Sequence, residues 1–212
     1  MNSEKFWNET FYKDMSKKTH DFLKDTWLEK YKEYILTNNK NKKAIDLGCG
    51  YGQDSNWLQD NNYSVIACDI STTALEKLKE MYPSIQTKHL NLEEPLPFKS
   101  NTLDLVNANL SIQYFKIEKT KEIFEEIRRI LKPGGIFIGR INSTKNNYIK
   151  LYNLKEVEKN LYYDKEYNKY TRLYTLEDIK ELTKKFKILH LEETSTIRLN
   201  KTKYIWEFIL KK

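Results

Sequence analysis

The sequence predicts an α/β fold: a doubly wound, seven-stranded, mostly parallel sheet whose last strand runs antiparallel. Three observations carry this reading. Short apolar runs alternate with amphipathic stretches between residues 43 and 141, the pattern of parallel strands joined by right-handed helical crossovers. The loop Gly48-Cys49-Gly50-Tyr51-Gly52 stands between one such run and the helix that follows it. Toward the end, Phe186–Glu192 and Tyr204–Leu210 are two strand-like runs joined by a connector short enough for an antiparallel pair.

Taken in order, residues 4–36 read as helical, because Leu23, Trp27, Leu28, Tyr31, Tyr34 and Ile35 recur at helix spacing between Lys and Glu. Residues 37–42 are a polar turn into a first strand over 43–47. A helix over 53–60 follows, then a strand over 63–69. Ser71 caps a second helix over 72–81, which ends before Pro83. Strands are expected over 85–90 and 102–108. Residues 120–131 form an amphipathic helix with Ile123, Phe124, Ile127, Ile130 and Leu131 on one face. Lys132-Pro133-Gly134-Gly135 stops it, and a fifth strand runs over 136–141. Residues 143–174 break the alternation; they are polar and hold seven of the fifteen tyrosines. Thr175 caps a helix over 175–184 before the closing strand pair.

At 212 residues the chain is long enough to bury a core and is expected to form one unit. It divides into N-terminal helices (1–40), a core (41–142), an insertion (143–174) and a C-terminal helix with its strand pair (175–212). The chain is 39% hydrophobic and 32% charged, with no apolar run long enough for a bilayer span and no apolar N-terminal stretch. A cytoplasmic protein without a membrane partner is expected. The two cysteines, Cys49 and Cys68, have no second cysteine or histidine at ligand spacing, so reduced thiols and no metal are expected. His20, His89 and His190 are scattered. The net charge of +7 comes from lysine spread along the whole chain, with only short clusters. This argues against a dedicated nucleic-acid surface.

The glycine loop carries the chemistry. Three of the six glycines fall in it, and glycine reaches positive φ cheaply and lets main chain approach a ligand. A strand, a glycine loop and a helix N-terminus form the nucleotide-cofactor site of α/β sheets, at the carboxyl edge of the strands. Asp69 ends the second strand, where a carboxylate can accept both hydroxyls of a ribose. Leu90-Asn91-Leu92-Glu93-Glu94-Pro95 follows the third strand, and Leu103-Asp104-Leu105-Val106 forms the fourth.

With this ordered set, residues 40–142 resemble the class I S-adenosylmethionine (SAM)-dependent methyltransferases, a Rossmann-like family. The aromatic N-terminal helix (Trp7, Phe11, Tyr12) and the run Gly52-Gln53-Asp54-Ser55 further resemble small bacterial enzymes of the tellurite-resistance and thiopurine-methyltransferase type. The resemblance implies SAM as cofactor, with S-adenosylhomocysteine as product. It places Gly48, Cys49, Gly50 and Gly52 against the ribose and methionine portion, Asp46 near the methionine ammonium, and Asp69 and Ile70 at the ribose. Asn91 and Leu92 fall at the adenine edge, where Asn91 replaces the family's common Asp but can still accept a hydrogen bond. Asn107 falls at the methionine end, and Asn109 there or at the substrate. Trp7, Tyr12, Gln113, Tyr114, Arg140 and Asn142 are the candidate substrate contacts, with Gln113 where many relatives have His. Asp104 is expected to order a strand end, and Arg172 and Arg198 either to reach an acidic acceptor or to lie on the surface.

Other readings weigh less. A dinucleotide loop spaces its glycines Gly-x-Gly-x-x-Gly, whereas this loop is Gly-x-Gly-x-Gly with Gln53 next. Asn107-Ala-Asn109-Leu-Ser lacks the prolines of amino-methylating enzymes of nucleic acid or protein. A non-catalytic SAM binder or scaffold would need positive evidence, because the sequence retains every cofactor element. The expected reaction is in-line methyl transfer to a small-molecule acceptor by a monomer or homodimer, with a general base optional. Residues 4–15 and 143–174 are expected either to cover the pocket or, for 143–174, to form a packing subdomain.

Overall fold

Parallel strands need long crossovers, and the alternation supplies them. In the computed structural model, which describes residues 3–15, 27–36, 42–146, 154–165, 169–198 and 201–212, strands β1 (Lys42–Leu47), β2 (Tyr63–Asp69), β3 (Gln86–His89), β4 (Leu103–Asn109) and β5 (Leu131–Asn142) run parallel. Three shorter strands follow, β6 (Lys155–Glu158), β7 (Leu161–Asp164) and β8 (Lys169–Arg172). The last two, β9 (Lys187–Arg198) and β10 (Lys201–Lys211), close the main sheet. Its order is β3-β2-β1-β4-β5-β10-β9, with β10 antiparallel to both neighbours. The hairpin is longer at both inner ends than the apolar runs alone indicated, because Thr194, Ser195 and Thr196 pair across it despite their polarity.

Helices cover both faces. They are α1 (Ser3–Met15), α2 (Lys32–Ile35), which continues a 3-10 turn over Trp27–Tyr31, α3 (Gln53–Asp60), α4 (Thr72–Met81), α5 (Ile117–Ile130) and α6 (Leu176–Thr183). On one face Ile123, Phe124 and Ile127 of α5 and Ile179 and Leu182 of α6 meet Val106, Phe137 and Phe208. On the other, Trp27, Leu28, Tyr31 and Ile35 pack with Leu58 of α3 on Ala44, Leu105, Ile138 and Ile209. Ser71 caps α4 by accepting from Ala74 N, and Thr175 and Asp178 form a reciprocal capping box at α6.

Two local differences from the sequence reading have clear causes. Lys132-Pro133-Gly134-Gly135 does follow the end of α5, but it lies within β5 as a bulge: the pairing jumps from Leu103↔Leu131 to Leu105↔Ile136. Gly134 and Gly135 exchange backbone hydrogen bonds with Lys212, and Lys132 Nζ donates to Asp104, which also accepts from Lys43 N. Asp104 thus ties β1, β4 and the bulge together. The tyrosine-rich insertion holds a second sheet, β6-β7-β8, antiparallel throughout, with Tyr163 opposite Tyr170. Tyr148, Tyr152 and Tyr167 lie outside the described residues.

At Gly139 the centre of the sheet is packed without space for a side chain. A Cβ there would stand 2.7 Å from the Phe208 ring and 2.9 Å from Ala108 O. Gly139→Ala is expected to destabilise the protein by about 1–3 kcal/mol through overpacking, read as a lower urea midpoint at unchanged slope.

Candidate functional site

The strand order reverses between β1 and β4, so a crevice opens outside their carboxyl ends. Asp46 of β1 and Asn107 of β4 sit side by side in register across that point. The glycine loop leaves β1 there. Gly48 N and Cys49 N both donate to Cys68 O of β2. Gly48 has φ +71°, and a Cβ on it would lie 2.3 Å from Ser111 Cβ; Gly52 has φ +85°, and its Cβ would strike Leu78 at 2.5 Å. Both positions therefore require glycine. The chain after β4 presses on this loop because Leu110 adopts φ +56°, a left-handed conformation costly for a leucine, and Ser111 Oγ donates to Leu47 O.

Two carboxylates are buried beside the loop. Asp46 accepts from Ser55 Oγ at 2.6 Å and from Asn107 Nδ2 at 2.8 Å. Asp54, one turn into α3, accepts from Asn107 Nδ2 and Asn109 Nδ2, each at 3.0 Å, and from Trp27 Nε1 at 3.0–3.1 Å. One amide nitrogen thus bridges the two acids. Burial and the neighbouring Asp54 push the Asp46 carboxyl up to about 7. Burial also raises Asp54, against the pull of the Trp27, Asn107 and Asn109 hydrogen bonds and of Arg140. The donors and the cation converge on Asp54, where they oppose the effect of burial, while Asp46 titrates near neutrality.

Asp69 ends β2 and accepts from Gly50 N and Ser71 N, each at 2.9 Å, so one carboxylate ties the glycine loop to the start of α4. Ile70 O lies 3.0 Å from His89 Nε2. Asn91 closes a turn by accepting from Glu93 N, and Leu92 packs with Leu90 and Leu96 in the core. The Cys49 side chain joins Ala67, Leu75 and Leu78, and its thiol is held well above its ordinary pKa by burial.

Helix α1 lies over the loop. The Phe11 ring would be 3.4 Å from a Cβ on Gly50, and Tyr51 Oη donates to Phe11 O. Asn8 Oδ1 accepts from Ser71 Oγ and Thr73 N at the start of α4. Trp7 meets Tyr114 edge-on at 4.9 Å, and Lys169 of β8 reaches over the Tyr114 and Phe6 rings. The Tyr12 side chain lies outside the described residues.

Of the remaining substrate candidates, Gln113 and Asn142 are buried at the carboxyl ends of β4 and β5. Arg140 is buried with its guanidinium 4.8 Å over the Trp27 ring and 3.9 Å from Glu207. Arg172 is not on the surface: it pairs with Glu158 and donates to Phe115 O and Lys159 O, anchoring the small sheet to the loop after β4. The Arg198 side chain lies outside the described residues. Trp27 and Asp54 join the Asp46–Asn107 cluster although the sequence reading gives neither a role there. Asp54 stands in the run Gly52-Gln53-Asp54-Ser55 without one, and Trp27 reads only as an apolar helix position. Among the described residues no cluster of acidic, histidine or cysteine side chains is arranged to hold a metal ion, and no helix is long and apolar enough to cross a membrane.

Residues 45–139 match a family model described as a methyltransferase domain. The chain is 32% identical over 112 residues to an uncharacterized methyltransferase of Synechocystis, covering 51% of this chain and 52% of that one. It is 39% identical over 98 residues to the human mitochondrial arginine-hydroxylase NDUFAF5, covering 45% of this chain and 27% of that one. The matches thus span about half the length of these curated relatives, or less. A SAM-dependent methyltransferase structure from Methanosarcina mazei superposes with a TM-score of 0.72 at 19% identity, over 88% of this chain and 97% of that one, a likeness of fold. Residues 45–139 thus resemble a methyltransferase domain, and the chain shares its fold with the Methanosarcina mazei structure.

The raised Asp46 has a measurable consequence. Its folded pKa, about 7, exceeds the unfolded value of about 3.9. The folded state therefore binds more protons in that window, and stability falls as pH rises from about 4 through 7. Urea denaturation across pH 5–8 should show this decline. Asp46→Asn should flatten it, and an unchanged slope would show that Asp46 does not titrate there.

Proposed function

We propose that the protein transfers a methyl group from SAM to a small-molecule acceptor by in-line displacement. The observation that carries this reading is the junction of the glycine loop, Asp69 and the Asp46–Asn107 pair at the point where the strand order reverses. The residues suit the cofactor. Asn107 Oδ1 is a buried acceptor without a donor, next to an acid that titrates near neutrality, and the methionine ammonium is a donor and a cation. Asp69 is fixed by two backbone N–H groups with carboxylate lone pairs left for a ribose diol. Gly48, Gly50 and Gly52 bring main chain to the ligand, and Ile70, Asn91 and Leu92 flank the adenine.

Bound SAM supplies a methyl group already activated by its sulfonium. The protein then has to align the acceptor and exclude water, which accounts for several kcal/mol of the barrier, on the order of what orientation effects give. Helix α1, through Trp7 and Phe11, and the insertion over 143–174, through Tyr163, Tyr170 and Lys169, form the cover that selects the acceptor. The SAM-binding core is 41–142, and the acceptor is neither a nucleic acid nor a membrane lipid.

Isothermal titration should give one S-adenosylhomocysteine site per chain. Asp69→Ala should weaken it about 10- to 100-fold, the scale of lost hydrogen bonds to a charged group. Unchanged affinity would remove the ribose assignment. Because an ammonium favours ionised Asp46, affinity should rise between pH 6 and 8, and Asp46→Asn should lose that rise. NDUFAF5 is a hydroxylase by name, so release of S-adenosylhomocysteine on turnover is the readout that separates methyl transfer from other use of the same fold.

A further inference from the structure

We infer that the acceptor presents an uncharged amine nitrogen to three amide carbonyls, those of Asn109, Gln113 and Asn142. This rests on the methyltransferase reading and adds the chemical class of the substrate.

Asn109 Oδ1, Gln113 Oε1 and Asn142 Oδ1 are buried and accept no hydrogen bond. Gln113 is 0% exposed and Asn142 1%. Buried acceptors are almost always paired, so three unpaired ones in one region call for a donor that the chain does not supply. The Asn109 amide is oriented by its Nδ2, which donates to the Asp54 carboxylate and leaves Oδ1 as the open end. Gln113 Nε2 lies 3.3 Å from Tyr114 Oη.

The fold brings the three together. Asn109 ends β4 directly opposite Arg140 of β5, and Asn142 lies two residues further along the same face of β5. Arg172 N donates to Gln113 O, and Tyr174 N to Asn142 O. Those two donors are two residues apart on an extended segment, a span of about 7 Å. Trp7 and Tyr114 form an aromatic wall beside Gln113.

Carbonyls select among nucleophiles. An anion would meet three sets of lone pairs. A hydroxyl has one hydrogen for three acceptors, and it needs a base to become a good nucleophile. The acids are engaged: every oxygen of Asp46 and Asp54 already accepts a hydrogen bond. Of the described histidines, His89 lies against Ile70 O and Glu4, and His190 against Tyr31 and Glu192. A neutral amine needs no base. Its two N–H groups donate to two of the carbonyls while its lone pair stays available, and burial favours the uncharged form.

In the step, the amine lone pair forms the N–C bond as the C–S bond breaks; sulfur keeps the bonding pair as a thioether, and the positive charge passes to nitrogen. The two N–H groups then donate more strongly to the carbonyls they face than in the ground state, which stabilises the transition state. The product ammonium loses its proton to solvent after release.

Aniline, phenol and benzoate share one ring and differ in the group offered, and aniline is neutral at pH 7. Calorimetric titration of each into protein saturated with S-adenosylhomocysteine should show aniline binding at least tenfold more tightly than phenol, and benzoate not at all. Gln113→Leu and Asn142→Leu should each weaken aniline at least tenfold, yet melt close to wild type without ligand, since leucine removes a buried carbonyl that accepts no hydrogen bond. If Asn142→Leu does not fold, Asn142→Ala makes the same test of aniline affinity. Phenol or benzoate binding as tightly as aniline, no binding of any of the three, or leucine variants that bind aniline unchanged would each overturn the inference. Failure to bind S-adenosylhomocysteine at all would instead overturn the methyltransferase reading, and the inference with it.

Discussion

Two carboxylates buried side by side are costly, and the site depends on how Asp46 and Asp54 are reconciled. The Asn107 amide donates to both, Ser55 satisfies one, and Trp27 and Asn109 satisfy the other. These donors come from β4, α3 and the 3-10 turn over Trp27–Tyr31, and Asp46 itself stands on β1. One polar cluster therefore holds four separate segments at the carboxyl edge of the sheet. A buried acid with a missing donor costs more than a surface pair could return. Register between β1 and β4 is set here as much as by the apolar core below.

The polar layer continues across the sheet. Asn109, Arg140, Glu207 and Glu192 occupy one row of paired positions through β4, β5, β10 and β9. Arg140 lies between Trp27 and Glu207, and Glu207 accepts from Tyr31 Oη and Lys30 Nζ. Beneath this row, toward the middle of the strands, Leu105, Ile138 and Ile209 are apolar. The same face thus changes from apolar to polar within two residues of each strand, toward the carboxyl edge of the sheet.

The two covering elements differ in kind. Helix α1 is joined to the cofactor loop itself, through Phe11 against Gly50 and Tyr51 and through Asn8 at the start of α4. The small sheet β6-β8 is joined to the loop after β4, through Arg172 and Lys169. Movements of the first bear on the cofactor loop, and movements of the second on Gln113 and Tyr114.

Sequence periodicity and turn chemistry by themselves determined the strand and helix alternation, the glycine loop, the caps at Ser71 and Thr175, and the closing antiparallel pair. Each of these is a local property: spacing of apolar residues, positive-φ glycines, a hydroxyl before a helix. Asp69 was legible as the residue that ends the second strand beside the glycine loop, and the structure ties it to Gly50 N and Ser71 N. Only the tertiary structure decided that Asp54 and Trp27 belong to the site, that Lys132–Gly135 form a bulge held by Lys212, and that the tyrosine-rich insertion is a three-stranded sheet. It also decided that Gln113 and Asn142 carry unpaired carbonyls. The physical reason is common to all four. Whether a polar atom is satisfied, and by what, depends on partners tens of residues away, and no local pattern records them.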